Sequence, residues 1–256
     1  LIVFGSGTTL AIGNLVDNNQ IPTLAMAYSD KVIIDRKYVR RFFNTAEQCG
    51  RVVNDELQKH NYSSIAIATT INETTVAVRD DFLRRWKGQT PFSIDINPND
   101  TDLKTVALKI KAQNPSAVFI ISGPPQLSIL PKTLRQIGYK GDFVTPSYGR
   151  NKAAIKAAGG ALEGALVIAT LSDKFQSLES ESNQRFGAET AEDGLMAYDV
   201  GLFLSRALES GNVLRYLDSR EALLGEFGEW QKLDPYTFAP PLSIGNIKGE
   251  EVKSKF

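Results

Sequence analysis

The sequence predicts an α/β protein of two lobes, each a mostly parallel sheet flanked by helices. Short strand-forming runs alternate with single amphipathic helical patterns, and the connections between them are short. The alternation also runs on for more units than one compact sheet holds. At 256 residues and 42% apolar, the chain can fill either one large domain or two of ordinary size.

Residues 1–4 are apolar and run into Gly5-Ser6-Gly7-Thr8-Thr9, after which Ile12, Leu15 and Val16 follow helical spacing. That is a buried parallel strand, a glycine turn and a helix start. Such a turn aims backbone N–H groups and the helix dipole at one point, with the hydroxyls of Ser6, Thr8 and Thr9 beside them. Two readings follow: Ser6 or Thr8 caps the helix, or the turn binds an oxygen-rich, anionic group. A dinucleotide fingerprint is excluded, because Leu10 stands at the third glycine position. No Gly-Lys-Ser/Thr phosphate loop follows either.

Residues 20–27 read as a second strand with Pro22 near its start, emptying into the polar turn Tyr28-Ser29-Asp30. Residues 38–43 are a third extended run, then Asn44-Thr45 and a helix over 46–59. Residues 65–68 are a strand ending in a loop over 69–74, and Val78, Phe82 and Trp86 mark the helix that follows. Residues 92–96 are a strand and 98–101 a turn and cap; Leu103, Val106, Ala107 and Ile110 carry the next helix. Residues 117–121 are continuously apolar, a strand covered on both faces, ending in Ser122-Gly123-Pro124-Pro125. The helix after it shows Leu130, Leu134 and Ile137, with Pro131 placed in its first turn. A strand over 142–145 leads to Pro146-Ser147-Tyr148-Gly149 and an Ala-rich helix closed by Gly159-Gly160; another strand covers 165–170.

From Leu171 the sequence is polar until a helix over 195–208 that is apolar all round and so reads as buried between layers. A helix around 220–227 and a turn and strand over 237–245 complete the chain. Breaks at Asn44-Thr45 and Thr170-Leu171 mark crossings between lobes. The expected lobes are 1–45 with 171–238, and 46–170 with 239–256. Ligands of open α/β sheets lie beyond the carboxyl ends of strands, here Gly5-Ser6, residues 27–29, the 70–74 loop, Gly123-Pro124 and Ser147-Tyr148.

Twenty-nine basic residues balance twenty-nine acidic ones, so there is no electrostatic footprint for nucleic acid or an anionic membrane. No apolar run approaches a membrane span. A single cysteine excludes an internal disulfide and a cysteine-rich metal site. Cys49 falls in the helical series with Val52, Val53 and Leu57, the setting of a buried, inert thiol. The first residue lies inside a strand, with neither initiator Met nor signal peptide, which reads as a mature, trimmed or partly observed chain. One histidine, His60, leaves no His-based triad beyond itself, and Gly-x-Ser-x-Gly and zinc signatures are missing. These absences weigh against an enzyme, and no metal and no cofactor are expected.

The pieces Gly5-Ser6-Gly7-Thr8-Thr9, residues 20–24 before Ala27-Tyr28-Ser29, residues 114–119 and residues 135–140 occur in a telling order. With residues 164–167 and Ala197-Tyr198-Asp199 they resemble the type I periplasmic solute-binding proteins of the leucine/isoleucine/valine-binding group, which serve ABC importers. The likeness is continuous over about residues 1–211. It implies a two-lobed Venus flytrap with three crossovers, located in the periplasm or otherwise outside the cytoplasm. It also implies a monomer that hands a small molecule to transporter membrane subunits without inserting into the membrane itself. Two βα units, about 60 residues, precede the matching first strand in that family.

The resemblance further implies that Ser6, Ala27 and Ser29 hold a ligand carboxylate, with Gly7, Thr8 and Tyr28 beside them. In the other lobe it points to Asn72, Glu73, Thr74, Gly123, Pro124, Ser147 and Tyr148. Three positions depart from the family: Ser147 stands where a carboxylate meets the ammonium, Thr74 at an aromatic position, and Gly123-Pro124 at a tyrosine. An unpaired buried ammonium costs several kcal/mol. Either Asp30 or Glu73 takes over that charge, or the ligand is a small organic carboxylate or another polar metabolite; the second reading is preferred.

Tyr28 and Tyr148 are either ligand-stacking aromatics or ordinary edge residues. Arg150 reads as a solvated arginine before a carboxylate clamp, and Glu73 as favourable charge at a helix start before a recognition group. Tyr198 and Asp199 are assigned to packing, and His60 to a helix dipole. The alternative function is a sensor ectodomain or ligand-responsive regulator of the same fold. An enzyme using paired carboxylates such as Asp30 and Glu73 ranks last.

Overall fold

The computed structural model describes residues 1–89, 92–172, 174–187 and 192–254. The expected lobes also include 90–91, 173, 188–191 and 255–256, which lie outside the described residues. In chain order the elements are β1 (Ile2–Phe4), α1 (Ser6–Asn18), β2 (Thr23–Met26), β3 (Val39–Phe42), α2 (Ala46–Lys59), β4 (Ile65–Thr70), α3 (Glu73–Arg85) and β5 (Phe92–Ile96). There follow α4 (Lys104–Ala112), β6 (Ala117–Ile121), α5 (Pro124–Gln136), β7 (Asp142–Thr145), α6 (Lys152–Ala157) and β8 (Leu166–Ala169). The last part holds α7 (Lys174–Phe186), α8 (Glu192–Glu209), α9 (Val213–Asp218), β9 (Ala222–Gly225), β10 (Gly228–Asp234), β11 (Thr237–Ala239), β12 (Ser243–Lys248) and β13 (Glu251–Ser254). Among the described residues no helix is long and apolar enough to cross a membrane.

The chain divides into two compact units. The first comprises Leu1–Ala46 and Thr170–Pro241, the second Glu47–Ala169 and Leu242–Phe256. The first unit holds a six-stranded sheet in the order β1-β2-β3-β11-β10-β9. Its first four strands are parallel, and β10 alone is reversed, antiparallel to both β11 and β9. Phe42, Phe203, Trp230 and Phe238 are fully buried at its centre, with Phe42 stacked on Phe238 at 5.2 Å and Phe203 edge-on to Trp230 at 5.6 Å. Asn44 joins the three stretches where the chain passes between units. Its amide donates to the Pro240 carbonyl (3.3 Å) and its oxygen accepts from the Thr170 hydroxyl (3.4 Å).

The second unit holds a seven-stranded sheet in the order β13-β12-β8-β7-β6-β4-β5, parallel from β8 to β5. All five residues of β6 are buried, as an interior strand covered on both faces requires. Phe82 packs against Phe119 at 5.2 Å and Trp86 at 5.5 Å, which accounts for the four-residue steps of α3. Cys49 is buried, and desolvation first and the Asp81 carboxylate second push its thiol up to about 12.

Several expectations need correction. β1 is an edge strand of the described sheet, and Ile2 and Phe4 are exposed, so only Val3 faces a covered side. On α1 the buried face is Thr9, Gly13 and Val16, while Leu15 is exposed. Pro131 lies inside α5 and not in its first turn, because the helix already starts at Pro124, where the missing N–H costs nothing. The cap expected within 98–101 is not there: the N-cap of α4 is Leu103, without a side-chain bond, although Asp102 just before it accepts from the Lys104 amide at 3.0 Å.

The polar stretch after Leu171 contains α7, a helix its composition concealed. The helix expected over 220–227 is instead β9 and the turn into β10, and the helix lies earlier, at α9. On α8, Tyr198 and Leu208 are exposed, so the helix is covered on one side only. Packing is therefore the wrong assignment for Tyr198. Asp199 is fully buried and accepts from the amides of Glu226 (2.6 Å) and Phe227 (3.1 Å) and from the Trp230 indole (3.0 Å). It clasps the β9–β10 hairpin to α8. Gly225 is required there, since a Cβ would come within 2.1 Å of the Asp199 carboxylate.

Replacing Asp199 by Ala leaves buried donors without an acceptor. The expected loss is about 3 kcal/mol or more, read in urea unfolding together with a fall in melting temperature of about 6 °C or more. A loss below about 0.5 kcal/mol would show that the clasp is dispensable. Separately, the raised thiol of Cys49 predicts that the folded protein does not react with a disulfide reagent at about pH 8. The single thiol is expected to titrate fully once urea has unfolded the chain.

Candidate functional site

In the first unit β1 and β2 run side by side with Phe4 opposite Met26, so the turns that follow them are neighbours. Gly5 makes the first turn possible. Its φ of 96° lies in the region that favours glycine, and its amide donates to the Met26 carbonyl at 3.0 Å. Helix α1 begins at once with Ser6, and no side chain caps it. The capping reading of Ser6 and Thr8 is therefore excluded. The buried Ser6 hydroxyl instead accepts a hydrogen bond from the Ser29 amide at 3.2 Å. Gly7 and Thr8 are exposed on the first turn of the helix, whose leading N–H groups have no intrahelical acceptor.

Ala27, Tyr28 and Ser29 are all buried. The Tyr28 ring stands edge-on to Phe43 at 4.9 Å. The Ser29 hydroxyl accepts from the Lys31 amide (3.3 Å) and caps a short turn over Asp30–Val32. The Tyr28 carbonyl accepts from the Ala46 amide (3.3 Å) and from the Arg41 guanidinium (3.2 Å). Arg41 was not legible as a site residue. The one signal was a pair of arginines, Arg40 and Arg41, inside an otherwise apolar extended run. Two hydroxyls, a helix N-terminus and adjacent amides at one sheet edge suit an oxyanion.

In the second unit β4, β6 and β7 are neighbours whose carboxyl ends share one edge, with Thr69 opposite Ile121 and Phe119 opposite Val144. Asn72 caps α3. Its side chain accepts from the Thr75 amide at 3.0 Å, while the Thr75 hydroxyl accepts from the Asn72 amide at 3.2 Å. Glu73 and Thr74 follow, half-buried, in the first turn, where the Glu73 charge complements the helix dipole. The Thr75 hydroxyl also donates to the Thr70 carbonyl, and the Thr70 hydroxyl meets that of Ser122. Thr70, Thr75 and Ser122 are thus site-edge hydroxyls that sequence reasoning passed over.

Gly123 caps α5 without a side-chain bond, and Pro124 and Pro125 open the helix. Neither proline has an N–H, so this N-terminus offers fewer donors than that of α1. Ser147 is buried and Tyr148 half-buried in the short turn Ser147–Arg150 after β7. His60 lies near the opposite edge, before β4, with its ring nitrogen 2.9 Å from the buried Glu56 carboxylate. Its partner is a side chain and not only a helix end. Among the described residues no His, Cys, Asp and Glu side chains gather to hold a metal ion.

Comparison with known proteins agrees with this architecture. The family model for periplasmic binding proteins matches residues 1–199. No curated protein matches the sequence. A leucine-binding protein LivK from Thermotoga maritima superposes with a TM-score of 0.88 at 18% identity, over 100% of this chain and 79% of its own. The LivJ substrate-binding protein of a branched-chain amino acid transporter from Streptococcus pneumoniae, in complex with isoleucine, gives 0.86 at 15% identity over 99% and 78%. An ABC transporter solute-binding protein from Rhodopseudomonas palustris BisB5, in complex with 3,4-dihydroxybenzoic acid, gives 0.85 at 16% over 100% and 78%. At these identities the structural likeness establishes the fold.

The reciprocal cap at Asn72 sets where α3 begins. Asn72→Ala is expected to cost about 1 kcal/mol and to speed amide exchange at Thr75. Unchanged exchange there would show that the Thr70 and Ser122 contacts alone hold the loop.

Proposed function

Because the chain belongs to the periplasmic binding protein family, we propose that it is an extracytoplasmic solute-binding protein of an ABC importer. It binds a small polar ligand bearing a carboxylate, holds it by closure of the two units, and passes it on without chemical change. Its partners are the transporter's membrane subunits, and it acts as a monomer. The observation that carries this reading is the bond between the Ser29 amide and the Ser6 hydroxyl at the carboxyl ends of β1 and β2. That bond joins two hydroxyl-bearing turns beside the N-terminus of a thirteen-residue helix, a setting that favours negative charge.

We assign the ligand set to Ser6, Gly7, Thr8, Ala27, Tyr28 and Ser29 on the first unit. On the second it comprises Asn72, Glu73, Thr74, Gly123, Pro124, Ser147 and Tyr148. Isoleucine and 3,4-dihydroxybenzoic acid, the ligands of the two similar proteins, share a carboxyl group, but only isoleucine carries an amine. In this chain the loop after β7 carries Ser147, a neutral hydroxyl, where the resemblance places a carboxylate that meets the ammonium. A hydroxyl suits a neutral polar group better than a buried ammonium, which needs a counter-charge. The reading therefore favours an organic carboxylate without an α-amine.

A thermal-shift panel of aliphatic and aromatic carboxylates, α-amino acids, amides and sugars tests this. A carboxylate at a hundred times its Kd is expected to stabilise the protein by about 2.7 kcal/mol. The Ser6→Ala/Ser29→Ala double variant is expected to bind that compound at least about tenfold more weakly, for the loss of charge-assisted hydrogen bonds. Equal affinity in the double variant overturns the oxyanion site. A response confined to α-amino acids overturns the assignment of Ser147.

A further inference from the structure

One peptide plane in the first unit is held at both ends. The carbonyl of Tyr28 and the amide of Ser29 belong to the same peptide group. The carbonyl accepts from the Arg41 guanidinium at 3.2 Å, and the amide donates to the Ser6 hydroxyl at 3.2 Å. Because the group is planar and trans, fixing its oxygen also fixes the direction of its N–H. A cationic donor on the oxygen moreover polarises the group and strengthens the N–H as a donor.

Arg41 is built to do this. It lies on β3, an interior strand of its sheet, and is buried. On one side its register partner is Thr237, whose hydroxyl accepts from the guanidinium Nε at 3.1 Å. On the other it is Ala25, whose short side chain leaves the face of β2 open for a long one to cross. Asp234, at 3.8 Å from the guanidinium, sets the far end of the fork. A planar fork can serve an acceptor on β11 and another beyond β2 at once; a flexible ammonium has no such pre-set geometry.

We propose that Arg41 is a positioning residue of the binding site, orienting the Tyr28–Ser29 peptide so that Ser29 and Ser6 meet an anionic group in register. This rests on the reading of Ser6 and Ser29 as an oxyanion site. The role requires no contact between Arg41 and the ligand.

Amide hydrogen exchange of the ligand-free protein, resolved by NMR, tests it. In Arg41→Met, which keeps most of the apolar stem, the Ser29 amide is expected to exchange at least about tenfold faster. The Val118 amide in β6 is expected to stay unchanged, and Arg41→Lys to fall between Met and wild type. Arg41→Met with the Ser29 rate of wild type, or Arg41→Lys no better than Met, overturns the proposal. Should Arg41→Met not fold, Thr237→Val removes the guanidinium's anchor while the charge remains. It is expected to speed Ser29 exchange in the same direction, and an unchanged rate overturns the proposal. Since no ligand enters the measurement, a carboxylate panel without a hit would fail the site reading alone and leave this result decided.

Discussion

The hydrogen bond from the Ser29 amide to the Ser6 hydroxyl is the constraint on which the strand-end edge of the first unit depends. Parallel pairing of β1 with β2 brings the two turns abreast, and Gly5 lets the first fold back sharply enough for α1 to start one residue later. Ser6 is then at once a helix residue and the acceptor of a backbone amide from the next βα unit. An alanine at position 6 would leave a buried amide seeking an acceptor, at a cost comparable to the desolvation of that group. The serine hydroxyl thus ties the geometry of the first turn to that of the second.

Much of this arrangement was legible in the sequence. The αβ rhythm, the strand-end loops and the Ser6 and Ser29 turns could all be read, because parallel units keep their signals local: a short apolar run, a turn, then a 3.6-residue pattern. What escaped was whatever depends on residues far apart in the chain. Leu223 and Phe227 fit a helical step, yet Gly225 and Gly228 and the partners of Asp199, some 27 residues upstream, fold that stretch into a hairpin. Helix α7 was hidden because it is largely polar, and the pattern reading rests on apolar spacing. The apolar surround of α8 predicts burial on all sides, but Tyr198 and Leu208 are exposed. At the site, the Thr70–Ser122 contact was invisible for the same reason as Arg41: its partners are 52 residues apart, and for Arg41 and Thr237 the separation is 196.

The two consecutive arginines of β3 show how such distant partners reconcile charge with burial. A strand reading Val-Arg-Arg-Phe, buried at every position in the interior of a sheet, conflicts with any rule that charges stay outside. The period of two resolves it, since neighbouring residues of a strand face opposite sides and each arginine needs its own receptor. Arg40 makes a bidentate bond to the Asp218 carboxylate at 2.6 and 2.7 Å and lies 4.8 Å from the Tyr236 ring centre. That ties the end of α9 and the β10–β11 turn to the sheet. Arg41 is received by the Thr237 hydroxyl and the Tyr28 carbonyl, and ties β11 to the turn after β2. The first pairing is an ion pair with a half-exposed carboxylate, at a place where only the fold is served. The second combines a looser approach to the Asp234 carboxylate at 3.8 Å with two neutral oxygens, one of them at the strand-end edge. A guanidinium is costlier to bury at such a looser ion-pair distance than in close bidentate contact with a carboxylate, and the peptide that Arg41 holds is the one that carries the Ser29 amide.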